Sequence, residues 1–341
     1  MSDQSHISVK QRGRVGIIGL DRAEAMNALT LDMVRDIDGA LDRFRDDPSI
    51  DQVLLRSEND RAFCVGGAMR QIRQFSLAKQ FADAKQFFLE EYRLIQRMSD
   101  YPKTFVALVD GICMGGSMGL VIQCDYRVAT DRALFAMPEN AIGFFTDVGG
   151  SYFLPRMPHC GGLWMGLTGA QVARFDAQTL GISTQMLQHI GVDGFVKTLC
   201  KDDAGLDSTL DTFCAAPGYQ TSMLTLAAKT MCFDQPTLCS IKDCLSKQTG
   251  AKTQMARQSL DAVSPRSLHE TMRMLRHGRD SSLAECLNRE FEAVQRAIRH
   301  PDLAEGIRAV LIDKDHAPKW QSAPTTLAQT PLFTRPMKVA T

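Results

Sequence analysis

Residues 105–155 constrain the fold of this chain more than any other stretch. The segment opens with five apolar residues, 105–109, which have the length and composition of a buried β-strand. After a short turn, Gly115 and Gly116 precede an apolar helical pattern. Strand, glycine turn and helix in this order are typical of an α/β protein, and the N–H groups at such a helix start are free to bind an anion or an oxyanion.

Two carboxylates lie further along the same segment. Glu139 follows a short apolar run, and Asp147 precedes a pair of glycines. Small residues and acids within a strongly apolar stretch indicate a reaction centre. At 341 residues the chain also has enough material for the full hydrophobic core of an enzyme.

The charge balance narrows the classes of partner. Lysine plus arginine and aspartate plus glutamate each number 39, so we expect neither nucleic acid nor an anionic membrane as a partner. Residues 1–11 are polar, and no apolar run approaches the ~18 residues of a membrane span. The sequence therefore predicts no secretory signal and a cytoplasmic location.

The ten cysteines lie inside apolar runs and include no C-x-x-C pair. This distribution is typical of buried, reduced thiols. His159 and Cys160 are adjacent, but the second half of a zinc-binding spacing is missing. We therefore expect reduced cysteines and no metal site.

Hydrophobic periodicity predicts the local elements. Strands are expected at residues 15–20 and 53–56, and a strand-like run at 310–312. A helix is expected after the N-cap Thr30, and a long helix over residues 70–100. Ser281 or Ser282, followed by Glu285, indicates a capping box that opens the last long helix.

The chain is predicted to have three parts. Residues 1–205 form a core that carries the active site, and residues 206–320 form a mainly helical C-terminal region. Residues 321–341 are rich in proline and polar residues, so we expect a poorly ordered tail.

One interpretation of the central stretch makes Ser117 a nucleophile. Residues 115–119 have the G-x-S-x-G pattern of a nucleophile elbow between a strand and a helix. An α/β-hydrolase of this kind also needs an acid and a histidine further along the chain. Six histidines follow Ser117, but none has a distinctive local context, and few strands precede the serine.

A second interpretation uses glycines as backbone donors. Gly67 and Gly116 each follow a predicted strand, and neither carries a side chain that would block its N–H. Together these N–H groups would form an oxyanion hole for an acyl oxygen, and the loss of one such donor typically costs about 3 kcal/mol of transition-state stabilisation. Glu139 and Asp147 would then supply the acid–base chemistry.

Several runs carry a resemblance to a known family: RAFCVGG at 61–67, DGICMGG at 110–116, FAMPENAIGFFTDVGGSYFLP at 135–155, EGIRAVLIDKD at 305–315 and PKW at 318–320. Taken together, they resemble the enoyl-CoA hydratase/isomerase (crotonase) superfamily over nearly the whole chain. The run at 135–155 is most similar to the 3-hydroxyisobutyryl-CoA hydrolases within it. The resemblance implies an α/β fold, a crotonase-like spiral of ββα units with a helical C-terminal region.

The resemblance also implies site residues. It assigns the oxyanion donors to Gly67 and Gly116, the catalytic carboxylate to Glu139, a second acid to Asp147 and a further substrate contact to Glu91. Gly116, Glu139 and Asp147 would contact the substrate as well. The CoA part of that substrate would lie along Val65, Gly67, Ala68 and Met69. The resemblance implies no metal and no cofactor, and superfamily members commonly form trimers or hexamers, so a homo-oligomer is compatible with it.

One position separates reactions within the superfamily. Hydratases carry two glutamates, the first of them three residues after the second oxyanion glycine, and that position is Gly119 here. Hydration is therefore disfavoured, whereas Glu139 and Asp147 suit hydrolysis of a short branched β-hydroxyacyl-CoA thioester, as in valine breakdown. Glu139 would attack the thioester carbonyl or activate a water.

Two alternatives remain open at this point. The first is an enoyl-CoA hydratase or isomerase. The second is a crotonase-fold protein that binds an acyl-CoA without turning it over. Three positions depart from the usual pattern: Ala68 replaces an aspartate common in the superfamily, Ser117 replaces a glycine usual in the hydrolases, and Thr146 replaces their proline.

Overall fold

The computed structural model of the chain describes residues 5–201, 205–215, 227 and 230–322. The chain forms two compact units, each assembled from three separate segments. The first unit comprises Met1–Gly67, Leu94–Phe135 and Val172–Ser222, and the second comprises Ala68–Arg93, Ala136–Gln171 and Met223–Thr341. The predicted division at residue 205 stays a prediction, and the predicted tail lies outside the described residues from 323 onward.

The strands of the described residues are, in chain order, β1 (Ile7–Arg12), β2 (Val15–Leu20), β3 (Gln52–Ser57), β4 (Ala62–Cys64), β5 (Thr104–Val109), β6 (Ile112–Met114), β7 (Tyr126–Thr130), β8 (Leu134–Ala136), β9 (Val172–Ala173), β10 (Gln185–Leu187) and β11 (Cys214–Ala215). One sheet has the order β1-β2-β3-β5-β7-β10-β11, and a smaller one has the order β4-β6-β8-β9. From β2 to β10 the large sheet is parallel, and its two edge strands are antiparallel.

The helices are α1 (Leu31–Asp46), α2 (Met69–Leu77), α3 (Phe81–Ser99), α4 (Gly116–Ile122), α5 (Gly150–Phe153), α6 (Gly161–Thr168), α7 (Arg174–Thr179), α8 (Val192–Leu199), α9 (Leu206–Phe213), α10 (Leu238–Ser246), α11 (Ala251–Ala262), α12 (Pro265–Gly278), α13 (Leu283–Ala297) and α14 (Pro301–Ile307). None of the helices in the described ranges is long and apolar enough to cross a membrane.

The chain repeats a strand-strand-helix order. β3 and β4, then β5 and β6, each contribute one strand to the large sheet and one to the small sheet before a helix begins. Val15, Leu54, Val106 and Val128 on the large sheet join one apolar core, where each is fully buried. This is the α/β arrangement expected of ββα units.

Several predicted elements are confirmed. β2 covers the predicted residues, and Thr30 caps α1 by accepting a hydrogen bond from the Met33 N–H. Ser282 opens α13 with a complete capping box to Glu285. Helix propensity and cap chemistry act locally, so the sequence signals them directly.

Three local predictions are wrong. The long helix over 70–100 is two helices, because the chain turns at Lys79, whose φ is +57°. The run at 310–312 is helical, not strand-like. Cys232 and Cys244 are joined in a disulfide, so these two are not reduced thiols. They pack in one apolar cluster with Cα atoms 5.5 Å apart, a contact that their twelve-residue spacing did not indicate.

Candidate active site

Four carboxylates of the second unit are buried and form one electrostatically interacting cluster. Glu91 lies on α3, Glu139 begins a short 3₁₀ helix, Asp147 precedes α5, and Glu290 lies on α13. Their exposed fractions are 2%, 5%, 4% and 0% in that order. Such burial of charged groups is costly, so it indicates either paired structural charges or a functional site.

Both carboxylate oxygens of Glu139 are buried without a hydrogen-bond partner among the described residues. Burial away from water, together with the negative charge of Glu290, raises the pKa of Glu139 to about 8, and its own backbone N–H opposes the rise. The Thr146 hydroxyl opposes this shift in the pKa, but it donates its proton to the Gly166 carbonyl at 3.1 Å. Glu139 is therefore a carboxyl group with two open acceptor positions and a pKa near neutrality.

Glu91 follows two buried aromatic residues by one turn. Phe87 and Phe88 precede it by four and three residues, so Glu91 shares their inward face of α3. Burial raises the pKa of Glu91 to about 8, and the charge of Glu139 contributes. Its Oε1 has no partner among the described residues. Glu91 and Glu139 are thus brought together, as the resemblance implied.

Asp147 differs from these two glutamates because it has a donor. The Tyr92 hydroxyl donates to Asp147 Oδ2 at 2.5 Å. Burial, with the charges of Glu91 and Glu139, raises the pKa of Asp147 well above its usual range, and the Tyr92 hydrogen bond opposes that rise. The pKa of Tyr92 is also raised well above its usual value, first by burial and then by Asp147.

Aromatic side chains surround this part of the second unit. Phe88 stacks on Phe144 with ring centroids 5.2 Å apart, and Phe144 stacks on Phe145 at 4.6 Å. Tyr92 meets Phe291 edge to face. Apolar surroundings of this kind lower the local dielectric, so they strengthen the electrostatic interactions among the carboxylates.

The predicted oxyanion donors lie in the first unit. Gly66 has a φ of +88°, and a Cβ there would lie 2.9 Å from both the Gly116 nitrogen and the Met114 oxygen. The backbone of Gly66 therefore packs directly against Gly116, which begins α4. No hydrogen bond within the described residues uses the N–H of Gly67 or of Gly116. Both groups are available as donors.

Ser117 has a structural role in the fold. It is fully buried, and its hydroxyl shares its proton between the carbonyl oxygens of Cys64 and Met114, at 2.8 and 2.9 Å. These bonds tie the ends of β4 and β6 together. A nucleophilic serine needs a base as its acceptor, so this geometry does not support the nucleophile-elbow interpretation.

The predicted CoA contacts follow β4 in the chain. Val65 and Gly67 close the segment after β4, and Ala68 is the N-cap of α2, which begins at Met69. All four are partly exposed. A contact role for them stays a prediction.

A family model described as enoyl-CoA hydratase/isomerase matches residues 15–331. The chain belongs to the enoyl-CoA hydratase/isomerase family. Curated relatives include the mitochondrial 3-hydroxyisobutyryl-CoA hydrolases of Danio rerio and Homo sapiens. The first is 36% identical and the alignment covers 95% of this chain and 86% of the relative; the second is 35% identical over 93% and 84%.

Solved structures of the family confirm the α/β fold. A carnitinyl-CoA dehydratase from Mycobacterium thermoresistibile has a TM-score of 0.88 and 32% identity, covering 96% of this chain and 94% of its own. An enoyl-CoA hydratase from Rhodobacter sphaeroides 2.4.1 has a TM-score of 0.86 and 32% identity, covering 95% and 96%. The predicted crotonase-like architecture of this family member is therefore confirmed.

Sequence reasoning missed Glu290 in the cluster and Tyr92, the donor to Asp147. Tyr92 is a buried aromatic residue of α3, and sequence alone does not distinguish such a residue from ordinary core packing. Glu290 follows Leu287 by three residues and precedes Val294 by four, which places it on the apolar face of α13. A glutamate on an otherwise apolar helix face was the available signal.

The second unit also contains a cavity of about 840 Å³ lined by Pro155–Cys160, Leu163, Ala227, Met231, Asp234, Leu275, Arg276, Arg279 and Asp280. None of the predicted site residues lines it. The carboxylate cluster, with its shifted pKa values and unpartnered oxygens, is the stronger functional candidate in this family member.

Proposed function

We propose that this family member hydrolyses a short branched β-hydroxyacyl-CoA thioester, converting 3-hydroxyisobutyryl-CoA and water to 3-hydroxyisobutyrate and CoA. The proposal rests on one observation: both carboxylate oxygens of Glu139 are buried and have no hydrogen-bond partner among the described residues. A carboxylate without competing donors is poised to take a proton from water or to attack a carbonyl carbon.

The reaction would proceed in two stages. Ionised Glu139 takes a proton from a water that attacks the thioester carbonyl, or attacks that carbon itself to form an anhydride that water then hydrolyses. The N–H groups of Gly67 and Gly116 stabilise the oxyanion. The carbon–sulfur bond breaks, and the CoA thiolate leaves and takes a proton.

The remaining residues would bind the substrate. Asp147 binds the β-hydroxyl group or assists proton transfer, and Glu91 lies at the acyl group. CoA lies along Val65, Gly67, Ala68 and Met69. No metal ion or cofactor is needed, because the carboxylates and backbone donors supply the acid–base and oxyanion chemistry. We expect dialysis against a chelator to leave the rate unchanged.

The named hydrolases among the relatives support this reaction at 35–36% identity over most of the chain. The alternative is an enoyl-CoA hydratase or isomerase, and one of the two similar structures has the name enoyl-CoA hydratase. Gly119 argues against it, because a glycine at this position cannot supply the second carboxylate of the hydratase mechanism.

The biological setting is part of the same proposal. We infer a place in valine breakdown, a cytoplasmic location and a homo-oligomeric assembly. The named relatives are mitochondrial proteins, so fractionation of the source cells tests the location, and light scattering of the purified protein tests the assembly.

The deciding experiment is a substrate panel. Free thiol release from 3-hydroxyisobutyryl-CoA and 3-hydroxypropionyl-CoA is followed with a thiol reagent, and hydration of crotonyl-CoA by loss of its absorbance. We expect thiol release that Glu139→Gln abolishes and Ser117→Ala largely retains. Hydration without thiol release would support the hydratase, and CoA-ester binding without either reaction would support a binding protein.

The order of bond formation has its own test. Rapid quench of the wild-type reaction followed by mass spectrometry would detect an acyl adduct on Glu139 if it attacks directly. The absence of an adduct during turnover would assign Glu139 the role of general base.

A further inference from the structure

Glu290 is the one member of the carboxylate cluster whose two oxygens are fully engaged by the chain. Its Oε2 accepts the Gly149 N–H at 2.7 Å, and its Oε1 accepts the Ser151 N–H at 3.0 Å and the Ser151 hydroxyl. Glu290 is fully buried. Gly149 lies in the turn between Asp147 and α5, and Ser151 is the second residue of α5.

This donor set favours the ionised form of Glu290. Each of the three partners presents a hydrogen, so a protonated carboxyl would place its own hydrogen against one of them. Burial raises the pKa of Glu290 to about 7, and the hydrogen bonds from Ser151 and Gly149 hold it below the value that burial alone would give.

The turn that Glu290 contacts has an unfavourable backbone conformation. Val148 has a φ of +54° and Gly149 a φ of +78°. A positive φ is costly for a β-branched residue, so contacts elsewhere must maintain the turn. Glu290 accepts the N–H of Gly149, directly after the strained Val148, and the N–H of Ser151 in α5. Glu290 therefore anchors the turn after Asp147 together with the Gly150 N–H, which donates to the Asp147 carbonyl at 2.7 Å.

The charge of Glu290 also reaches the reacting groups. It raises the pKa of Glu139, of Asp147 and of Tyr92, in each case after burial. Arg289, next to it on α13, partly offsets this charge. The titratable groups that interact around this turn are Glu91, Tyr92, Glu139, Asp147, Cys286, Arg289 and Glu290.

We propose that Glu290 is a positioning residue for the proposed thioester hydrolysis: its buried carboxylate anchors the turn that presents Asp147 through the Gly149 and Ser151 donors, and it carries a negative charge that acts on Glu139. The inference rests on the proposed function for its catalytic meaning. The effect of Glu290 on the titration of Glu139 can be measured in the free protein, without substrate.

The test compares Glu290→Gln with Glu292→Gln. Both remove one negative charge from α13, but Glu292 is partly exposed. The carboxyl carbons of all glutamates are labelled with ¹³C, and the Glu139 resonance is assigned as the one missing from Glu139→Gln. We expect the midpoint of the Glu139 titration to fall by about one pH unit in Glu290→Gln and to stay in place in Glu292→Gln.

Kinetics supply the second readout. For 3-hydroxyisobutyryl-CoA, we expect Glu290→Gln to lower kcat and to move the acid limb of kcat/KM to lower pH. A purely structural role would lower kcat without moving that limb. An unmoved midpoint, or an equal shift in both variants, would overturn the proposal.

A further variant covers the case in which Glu290→Gln does not fold. Ser151→Ala removes one donor, so Glu290 is protonated more readily and its charge is reduced near pH 7. We expect a smaller shift of the Glu139 midpoint in the same direction, and no shift would contradict the proposal. If the wild-type protein hydrolyses no thioester, the proposed function fails, whereas the ¹³C titration still decides the role of Glu290.

Discussion

The Tyr92 hydroxyl donates to the Asp147 carboxylate across a 2.5 Å hydrogen bond inside a core where both side chains are almost fully buried. This donor stabilises the ionised form of Asp147 against burial and against the charges of Glu91 and Glu139. Hydrogen bonds to charged groups contribute about 1.5–3 kcal/mol. The contact therefore partly offsets the rise that burial and neighbouring charges cause in the pKa of Asp147.

Tyr92→Phe should weaken catalysis through Asp147. The ring still packs against Phe291, but the carboxylate loses its donor and is protonated more readily. We expect kcat/KM for 3-hydroxyisobutyryl-CoA to fall about 10- to 100-fold, the factor that corresponds to one charged hydrogen bond. Steady-state kinetics measure it, with circular dichroism as the control for folding. Unchanged kinetics would remove Asp147 from the mechanism.

The pH dependence of the reaction should follow Glu139. Burial raises its pKa to about 8, and both proposed roles need its ionised form. We therefore expect kcat/KM, which reports the free enzyme, to rise with pH and to level off above about pH 8. A thiol-release profile between pH 5 and pH 9.5 checks this. A rate that is already maximal at pH 6 would contradict a raised pKa in the free protein.

Stability should depend on pH through Glu91. Its pKa is about 8 in the folded protein against an ordinary value of 4.5. A raised pKa in the folded state contributes stability that is complete below about pH 4.5 and is lost as the pH rises through about 8. Glu91→Gln cannot ionise, so it avoids this loss.

We therefore expect Glu91→Gln to raise the Tm by a few degrees at pH 8 and to gain little at pH 5. Differential scanning calorimetry at the two pH values measures this, and Glu292→Gln is the control for removal of a carboxylate. An equal gain at both pH values would show that the effect does not come from the ionisation of Glu91. The same variant tests whether Glu91 contacts the acyl group, because KM would then rise.

Local signals were sufficient for much of the fold. Thr30 and Ser282 were predicted as caps because an N-cap side chain bonds N–H groups two or three residues away. The strand β1 was not predicted, since few of its residues are apolar and its burial falls from Ile7 toward Arg12. An edge strand is stabilised by hydrogen bonds to its neighbouring strand, here β2, and the pattern of residues in one segment does not show such pairing.

The residues of the candidate site also differ in whether local sequence or only tertiary packing indicates them. Glu139 and Asp147 could be found because they stand in one motif with the glycines between residues 105 and 155. Glu290 lies far along the chain from Gly149 and Ser151, and only tertiary packing brings their atoms together. The prediction for 310–312 was wrong for a related reason. Two of its three residues are β-branched and favour a strand, but the segment continues directly from α14 as a helical turn, in which Arg308 pairs with Glu305 and Asp313.

The backbone around the oxyanion donors should tolerate no side chain at Gly66. Its φ of +88° is unfavourable for other residues, and a Cβ would approach the Gly116 nitrogen and the Met114 oxygen to 2.9 Å. Because both neighbours are backbone atoms, they can yield only if the start of α4 moves. We expect Gly66→Ala to displace the Gly116 N–H.

The loss of one oxyanion donor typically lowers kcat by about 10²–10³, and we expect Gly66→Ala to approach that range. Gly39→Ala is the matched control: Gly39 lies inside α1, and a Cβ there meets nothing within 4 Å. Since alanine is favoured over glycine in a helix interior by about 1 kcal/mol, this control should be more stable than the wild type and fully active. Wild-type kcat in a folded Gly66→Ala would mean that Gly116 donates no hydrogen bond to the oxyanion.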